Sequence, residues 1–279
     1  MKPRRLTVLF AFVISAANAV ADQPDLAQVQ TLSVPDLKGT SCITVTNDGR
    51  FAYANGGSAG TVLVLKRDPA NGELAVVDTL KGPELNAPIR TRLSHDDKLL
   101  IVSDYRGDAV IIYSRDPATG RLTRLVNGSA GSTGAMGLKG VSDALLSADN
   151  HYLYTASTLG LTVFTFENNQ LSVLQHLEAS GELKGLRFTA MSPSGRWLYT
   201  VANEAGTLGV FHRDLSSGKL KRMESLSSGH DGVTSLRGAF RVAVSADARN
   251  VYVSAGRFNG DQAVTVFEVQ ADGHLKQVQ

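Results

Sequence analysis

SPSGRWLYTVANEAGTLGVFHRDLSSGKL, residues 192–220, decides the fold. A polar turn (SPSGR) leads into an apolar run (WLYTVA), a small-residue loop, an alternating run (TLGVFHR) and a charged loop closed by Gly-Lys. The aromatic and β-branched content and the period of two are those of strands. In RDLSSG the Asp starts a turn and the Gly supplies the positive φ that reverses the chain.

The same order recurs. Five polar turns are present: TNDGR (46–50), SHDDK (94–98), SADNH (147–151), SPSGR (192–196) and SADAR (245–249). Each is followed by a second strand (FAYAN, LLIVSD, YLYTAS, WLYTVA, VYVSA) and a third (TVLVLKR, AVIIYSR, LTVFTFE, TLGVFHR, AVTVFEV). Hairpin loops such as RDPANGEL (67–74) and RDPATGRL (115–122) then lead to a fourth. Measured from the third residue of each turn, the repeats are 48, 53, 45 and 53 residues apart. A β-sandwich has no reason to repeat turn, strand and hairpin in one order. The pattern predicts an all-β chain: a β-propeller of four-stranded blades, with five repeats visible. AQVQTLSV (27–34) reads as an additional outer strand of the kind that closes a propeller ring, and HLKQVQ as the last blade's own outer strand.

The N-terminus has the outline of a signal peptide: Lys2, Arg4 and Arg5, an apolar run over Leu6–Ala17 too short to span a bilayer, and small residues at Ala19-Val20-Ala21. The expected division is residues 1–21 as signal peptide and 22–279 as the propeller domain, exported to the periplasm or secreted and not membrane-bound after cleavage. Cleavage removes three basic residues and no acidic one, turning a formal charge of +2 into −1, which gives no reason to invoke nucleic acid. The single cysteine, Cys42, lies in the apolar run CITV and reads as a core residue; no internal disulfide can form.

In an antiparallel blade the start of the innermost strand and the end of the second lie at the same end of the sheet. Residues at those positions therefore converge on one face: Arg90, Arg92, Ser142, Asp143, Arg187 and Arg241 from strand starts, and Asn55, Asp104, Tyr105, Arg106, Asn203, Glu204 and Arg257 from strand ends. The face is rich in arginine.

The blade order resembles the seven-bladed propeller lactonase family, which includes bacterial 6-phosphogluconolactonase and the fungal carboxymuconate cyclase. The likeness covers most of the mature chain. It rests on APIRTRLSHDDKLLIVSDYRGDAVIIYSRDPATGRL, on GLRF followed by SPSGRWLYTVANE, and on VAVSADARNVYVSAGRFNGDQAVTVF. The resemblance implies catalytic roles for Arg187 and Glu204 and a further arginine at Arg257, and the converging strand ends add Arg90, Asp104, Asp143 and Asn203 around the substrate. Arg187 stands six residues before Pro193, as the family arginine stands before its proline, whereas ungapped counting from Tyr199 places Asn203, not Glu204, on the family glutamate. The family's third-blade histidine falls on Ser142, its second-blade histidine on Arg90 and its fifth-blade glutamate near Arg241. His230, in SSGHDGVTSLRG, is the remaining histidine placed to reach the channel.

Two functions follow. One is an exported lactonase-like hydrolase or isomerase of the 6-phosphogluconolactonase type acting on a small anionic lactone, with arginines holding the anion and Glu204 or Asp143 as base. The other is a non-catalytic propeller that binds an acidic ligand or a protein partner. No cofactor is called for, and a calcium site is set aside because the arginines would repel a divalent cation.

Overall fold

The computed structural model describes residues 28–129, 137–256 and 260–279. Five four-stranded antiparallel sheets are present among them, each a meander of consecutive strands, and they are the propeller blades expected from the repeat. Blade 1 is β1 (Ile43–Val45), β2 (Phe51–Gly56), β3 (Thr61–Arg67) and β4 (Leu74–Lys81); blade 2 is β5 (Pro88–Leu93), β6 (Leu99–Asp104), β7 (Ala109–Arg115) and β8 (Leu122–Ser129). Blade 3 is β9 (Asp143–Leu146), β10 (Tyr152–Ser157), β11 (Gly160–Glu167) and β12 (Gln170–Glu178). Blade 4 is β13 (Leu186–Met191), β14 (Trp197–Ala202), β15 (Thr207–Arg213) and β16 (Leu220–Ser227); blade 5 is β17 (Ala239–Val244), β18 (Asn250–Ala255), β19 (Ala263–Val269) and β20 (Leu275–Gln277).

The polar turns earn their composition. In four of the five, a Ser or Thr hydroxyl donates to an Asp two residues on, and that carboxylate also accepts the backbone N–H two residues further: Thr46/Asp48/Arg50, Ser94/Asp96/Lys98, Ser147/Asp149/His151 and Ser245/Asp247/Arg249. The fourth residue of each turn has positive φ, which suits Gly49 and Gly195 and strains Ala248 (φ 61).

Each junction between consecutive blades has its own apolar cluster. Tyr53, Val62 and Val64 of blade 1 meet Leu100, Val102 and Ile111 of blade 2, and equivalent sets join blades 2 and 3, 3 and 4, and 4 and 5. Two junctions add a polar lock from the hairpin between the third and fourth strands. Tyr53 Oη donates to the Gly120 carbonyl at 2.8 Å and accepts from Arg115 Nε at 2.7 Å. Tyr154, Gly218 and Arg213 repeat the arrangement between blades 3 and 4. Burial pushes the Tyr154 hydroxyl up to about 12, so it keeps the proton it donates.

The 27–34 segment departs from expectation. Ala27 lies outside the described residues, and residues 28–34 form no strand. Gln30 nevertheless clasps Leu74, donating to its carbonyl at 3.0 Å and accepting its N–H at 2.8 Å. Gln175, on the outer strand of blade 3, clasps Leu220 of blade 4 in the same way. Residues 28–34 thus occupy the place of an outer strand preceding blade 1, and Leu32, Val34 and Leu37 cover Ala52, Ala54, Leu63 and Leu65. The proposed signal peptide, residues 1–21, lies outside the described residues. Among the described residues no helix is long and apolar enough to cross a membrane.

Between blades 4 and 5 the clasp is ionisable. Glu224 accepts the Leu275 N–H at 2.7 Å and meets His274 Nδ1 at 2.8 Å, and that carboxylate raises the His274 pKa above 6.5. A raised histidine pKa adds stability that is complete below the unfolded value and disappears as pH climbs through the folded one. Urea unfolding should therefore show wild type losing stability relative to His274→Gln as pH rises above 6.5, and parallel pH profiles would contradict the assignment.

Gly218 supplies a second test, because it has φ 70 and a Cβ there would collide with the Tyr152 ring of blade 3. Gly218→Ala should cost about 2 kcal/mol or more in urea unfolding, whereas a loss below about 0.5 kcal/mol would show that the lock is not needed.

Candidate functional site

Register defines the site. The innermost strands of blades 2, 4 and 5 each carry a bulge at their first turn of pairing, between Pro88 and Arg90, Leu186 and Phe188, and Ala239 and Arg241. A bulge leaves one residue unpaired and returns the next to the ladder with its direction reset. Ile89, Arg187 and Phe240 are the bulged residues; Arg90, Phe188 and Arg241 re-enter the ladder opposite Ser103, Val201 and Ser254. Asp143 sits opposite Ala156 at the matching place in blade 3, and the Cys42 carbonyl accepts the Asn55 N–H at the matching place in blade 1. Cys42, Arg90, Asp143, Phe188 and Arg241 are therefore equivalent positions on five blades.

These side chains form one cluster. Asp143 is fully buried and accepts Arg92 Nε at 2.8 Å and Nη2 at 2.7 Å, together with the Thr189 N–H at 2.9 Å and hydroxyl at 3.0 Å. Arg90 Nε approaches Asp143 to 3.4 Å without hydrogen-bond geometry. Burial disfavours the carboxylate charge, but Arg92, Arg90 and these hydrogen bonds outweigh it and hold Asp143 at about 2. Arg92 also donates to the Thr189 carbonyl at 2.7 Å, so one ion pair ties blades 2, 3 and 4 together.

Phe188 is the platform for the remaining cations. The Arg241 guanidinium carbon stacks 3.5 Å from its ring centroid, and that of Arg90 lies 5.5 Å away. Burial, and then repulsion from Arg90, lowers Arg241 to about 10. Buried nitrogens of three arginines, Arg90 Nε, Arg187 Nε and Arg241 Nη1, have no hydrogen-bond acceptor among the described residues. Cys42 completes the cluster and is half-buried rather than in the core: Arg90 Nη1 is 3.8 Å from its Sγ. Burial pushes its thiol up, yet Arg90 and hydrogen bonds with Thr91 and Thr44 outweigh that and leave the pKa lowered. The balance is several guanidinium groups against one saturated carboxylate, an arrangement suited to a small anion.

The other sequence-derived residues are placed as follows. Asp104 is fully buried and clasps the loop before β5, accepting the N–H groups of Asn86 (2.6 Å), Ala87 (2.8 Å) and Gly107 (2.8 Å). Asn55 does the same for blade 1, accepting the Cys42 N–H at 2.7 Å and donating to the Pro88 carbonyl at 2.6 Å. Asn203 donates its N–H to Gly185, and its buried Oδ1 has no hydrogen-bond partner among the described residues. The Glu204 side chain is 54% exposed and lies 3.9 Å from Lys184 Nζ; no ion pair joins it to Arg187. Arg187 is half-buried, and its carbonyl accepts the Ser142 hydroxyl at 2.6 Å. His230 lies in an exposed turn. Arg257 is outside the described residues.

Phe188 and Cys42 were not placed on the converging face, and Arg92 and Arg241 were placed on it without a role in the site. A signal for Phe188 and Cys42 existed: Cys42, Arg90, Asp143, Phe188 and Arg241 each stand six residues before the third residue of their polar turn.

Comparison with known proteins points to one family. The family model described as lactonase, 7-bladed beta-propeller, matches residues 12–137 and 144–279. Similar solved structures include a periplasmic gluconolactonase of Pseudomonas aeruginosa (21% identity, TM-score 0.71, covering 90% of this chain and 73% of that one). A candidate 6-phosphogluconolactonase of Bacteroides uniformis matches at 20% identity and TM-score 0.70, over 90% of this chain and 73% of that one. A Lactobacillus plantarum protein matches at 18% identity and TM-score 0.69, over 86% of this chain and 70% of that one. No match was found among curated protein sequences.

The single thiol reports directly on the field of the cluster. Relative to free cysteine, Cys42 should favour anionic iodoacetate over neutral iodoacetamide by about tenfold, with the preference collapsing in about 1 M salt. A ratio equal to that of free cysteine would mean that the arginines project no usable field.

Proposed function

The chain belongs to the seven-bladed β-propeller lactonase family, and on that premise we propose that it takes a small carboxylate-bearing lactone into its channel and opens the ring. The observation that carries this reading is the set of buried guanidinium nitrogens left without acceptors around Phe188. Arg90 and Arg241 hold the substrate anion, and Arg187 stabilises the oxyanion that develops as water adds to the lactone carbonyl. Glu204 takes a proton from that water as it adds, the ring C–O bond then breaks, and the protonated Glu204 returns the proton to the departing alkoxide to give the hydroxy acid. Asp143, with its oxygens enclosed by Arg92 and Thr189, acts as the anchor that positions the arginines. Asp104 and Asn203 shape the loops at the same end of the blades, and Arg257 is a further candidate for the anion. Export through the signal peptide at residues 1–21 belongs to the same proposal, supported by the periplasmic location of the similar Pseudomonas aeruginosa gluconolactonase.

One observation favours a second reading, a propeller that binds an anion without turnover. The proposed base, Glu204, is 54% exposed and beside Lys184 rather than enclosed with the arginine cluster. A panel of sugar-acid lactones and their hydroxy acids, tested with purified mature protein, separates the two. Lactonase function predicts turnover that falls by about 100-fold or more in Arg187→Ala and a KM that rises by about tenfold or more in Arg241→Ala. Thermal stabilisation by hydroxy acids with no turnover would establish the binding reading, and activity unaffected by either substitution would remove the proposed site.

A further inference from the structure

Cys42 is the only cysteine of the chain, so any disulfide it forms joins it to another molecule. Its surroundings are set by an internal junction. Side chains alternate in direction along the innermost strand of blade 1, and Cys42 and Thr44 both turn toward blade 2, where they meet Thr91. The Thr91 hydroxyl donates to Cys42 Sγ at 3.6 Å, Arg90 Nη1 lies 3.8 Å from the same sulfur, and Thr44 donates to the Thr91 carbonyl at 2.7 Å. The thiol is half-buried and takes the position that Asp143 and Arg241 hold on blades 3 and 5.

Two independent features meet at this sulfur. Burial alone would raise the thiol pKa, but Arg90 and the hydrogen bonds with Thr91 and Thr44 lower it overall, which favours the nucleophilic thiolate. Cys42 also interacts electrostatically with Arg92 and Arg241. The second feature is a deficit of anions. Arg90 Nε and Arg241 Nη1 are buried without an acceptor among the described residues, while the Asp143 oxygens are committed to Arg92 and Thr189. A disulfide between two copies of the chain would bring two arginine clusters together and suits this site badly. A small disulfide that bears carboxylates supplies the missing anion as it reacts.

We propose that Cys42 captures small carboxylate-bearing disulfides, forming a mixed disulfide whose carboxylate lies against Arg90 and Arg241. Its Sγ attacks one sulfur of the incoming disulfide, the S–S bond breaks, and the other half leaves as a thiolate. Cys42 is thereby oxidised and the departing sulfur reduced, and excess thiol reverses the exchange. The captured group occupies the place assigned above to the substrate anion, so capture and substrate exclude one another. That consequence rests on the reading of the channel as a substrate site; the capture itself does not.

Redox buffers of mercaptopropionate or of neutral mercaptoethanol, each with its own disulfide at the same thiol-to-disulfide ratio, test this on the purified mature protein. The two thiols are close in size and differ in charge. Intact-mass spectrometry of acid-quenched samples measures the mixed disulfide, and no lactone is present, so the result is independent of turnover. The mixed disulfide with mercaptopropionate should be favoured by about tenfold or more, relative to the same comparison on an uncharged cysteine peptide, and the preference should vanish in urea-unfolded protein. Arg90→Met should remove most of the preference and Arg90→Lys should keep part of it, with circular dichroism showing both folded. Equal equilibria for the two thiols, no mixed disulfide with either, or a preference unchanged in folded Arg90→Met would each overturn the proposal.

Discussion

One buried carboxylate organises the centre of this molecule. Asp143 lies at the start of the innermost strand of blade 3 with no solvent contact, where an unpaired charge would cost several kcal/mol. It is tolerated because Arg92 arrives from blade 2 with a two-point contact and Thr189 offers both its N–H and its hydroxyl from blade 4. The interaction therefore joins three blades at the channel, whereas the apolar clusters on either side of blade 3 each join two. It also fixes the backbone from which Arg90 and Phe188 project.

With Asp143 saturated, the charge balance becomes chemically useful. Arg90 and Arg241 are held against Phe188 close enough to repel one another, and the lowered pKa of Arg241 records the cost of burial and of that repulsion. An anion entering between them would relieve both.

The fold was legible because its signals are local: the Ser/Thr-x-Asp turns, the Arg-Asp hairpins and period-two strands repeat in a fixed order. The site was only partly legible. Arg90 and Asp143 were named and lie in the cluster, while Phe188 was hidden by its neighbour: a bulge at Arg187 puts the aromatic residue, not the arginine, on the equivalent position. A one-residue change of ladder reverses side-chain direction, and nothing in the composition of GLRF announces it. Asp104 was read as a substrate contact from its place at a strand end, but its oxygens are taken by three backbone N–H groups. Cys42 was read as core because its neighbours are apolar, although the six-residue offset to its turn was available to place it with the arginines.

The central claim is that Asp143 and Arg92 act as one unit joining blades, and a double-mutant cycle measures that unit directly. Urea unfolding of wild type, Asp143→Asn, Arg92→Met and the double variant should give a coupling of about 2 kcal/mol or more, with the double variant less destabilised than the two single changes combined. Single effects that simply add, to within about 0.5 kcal/mol, would contradict the account.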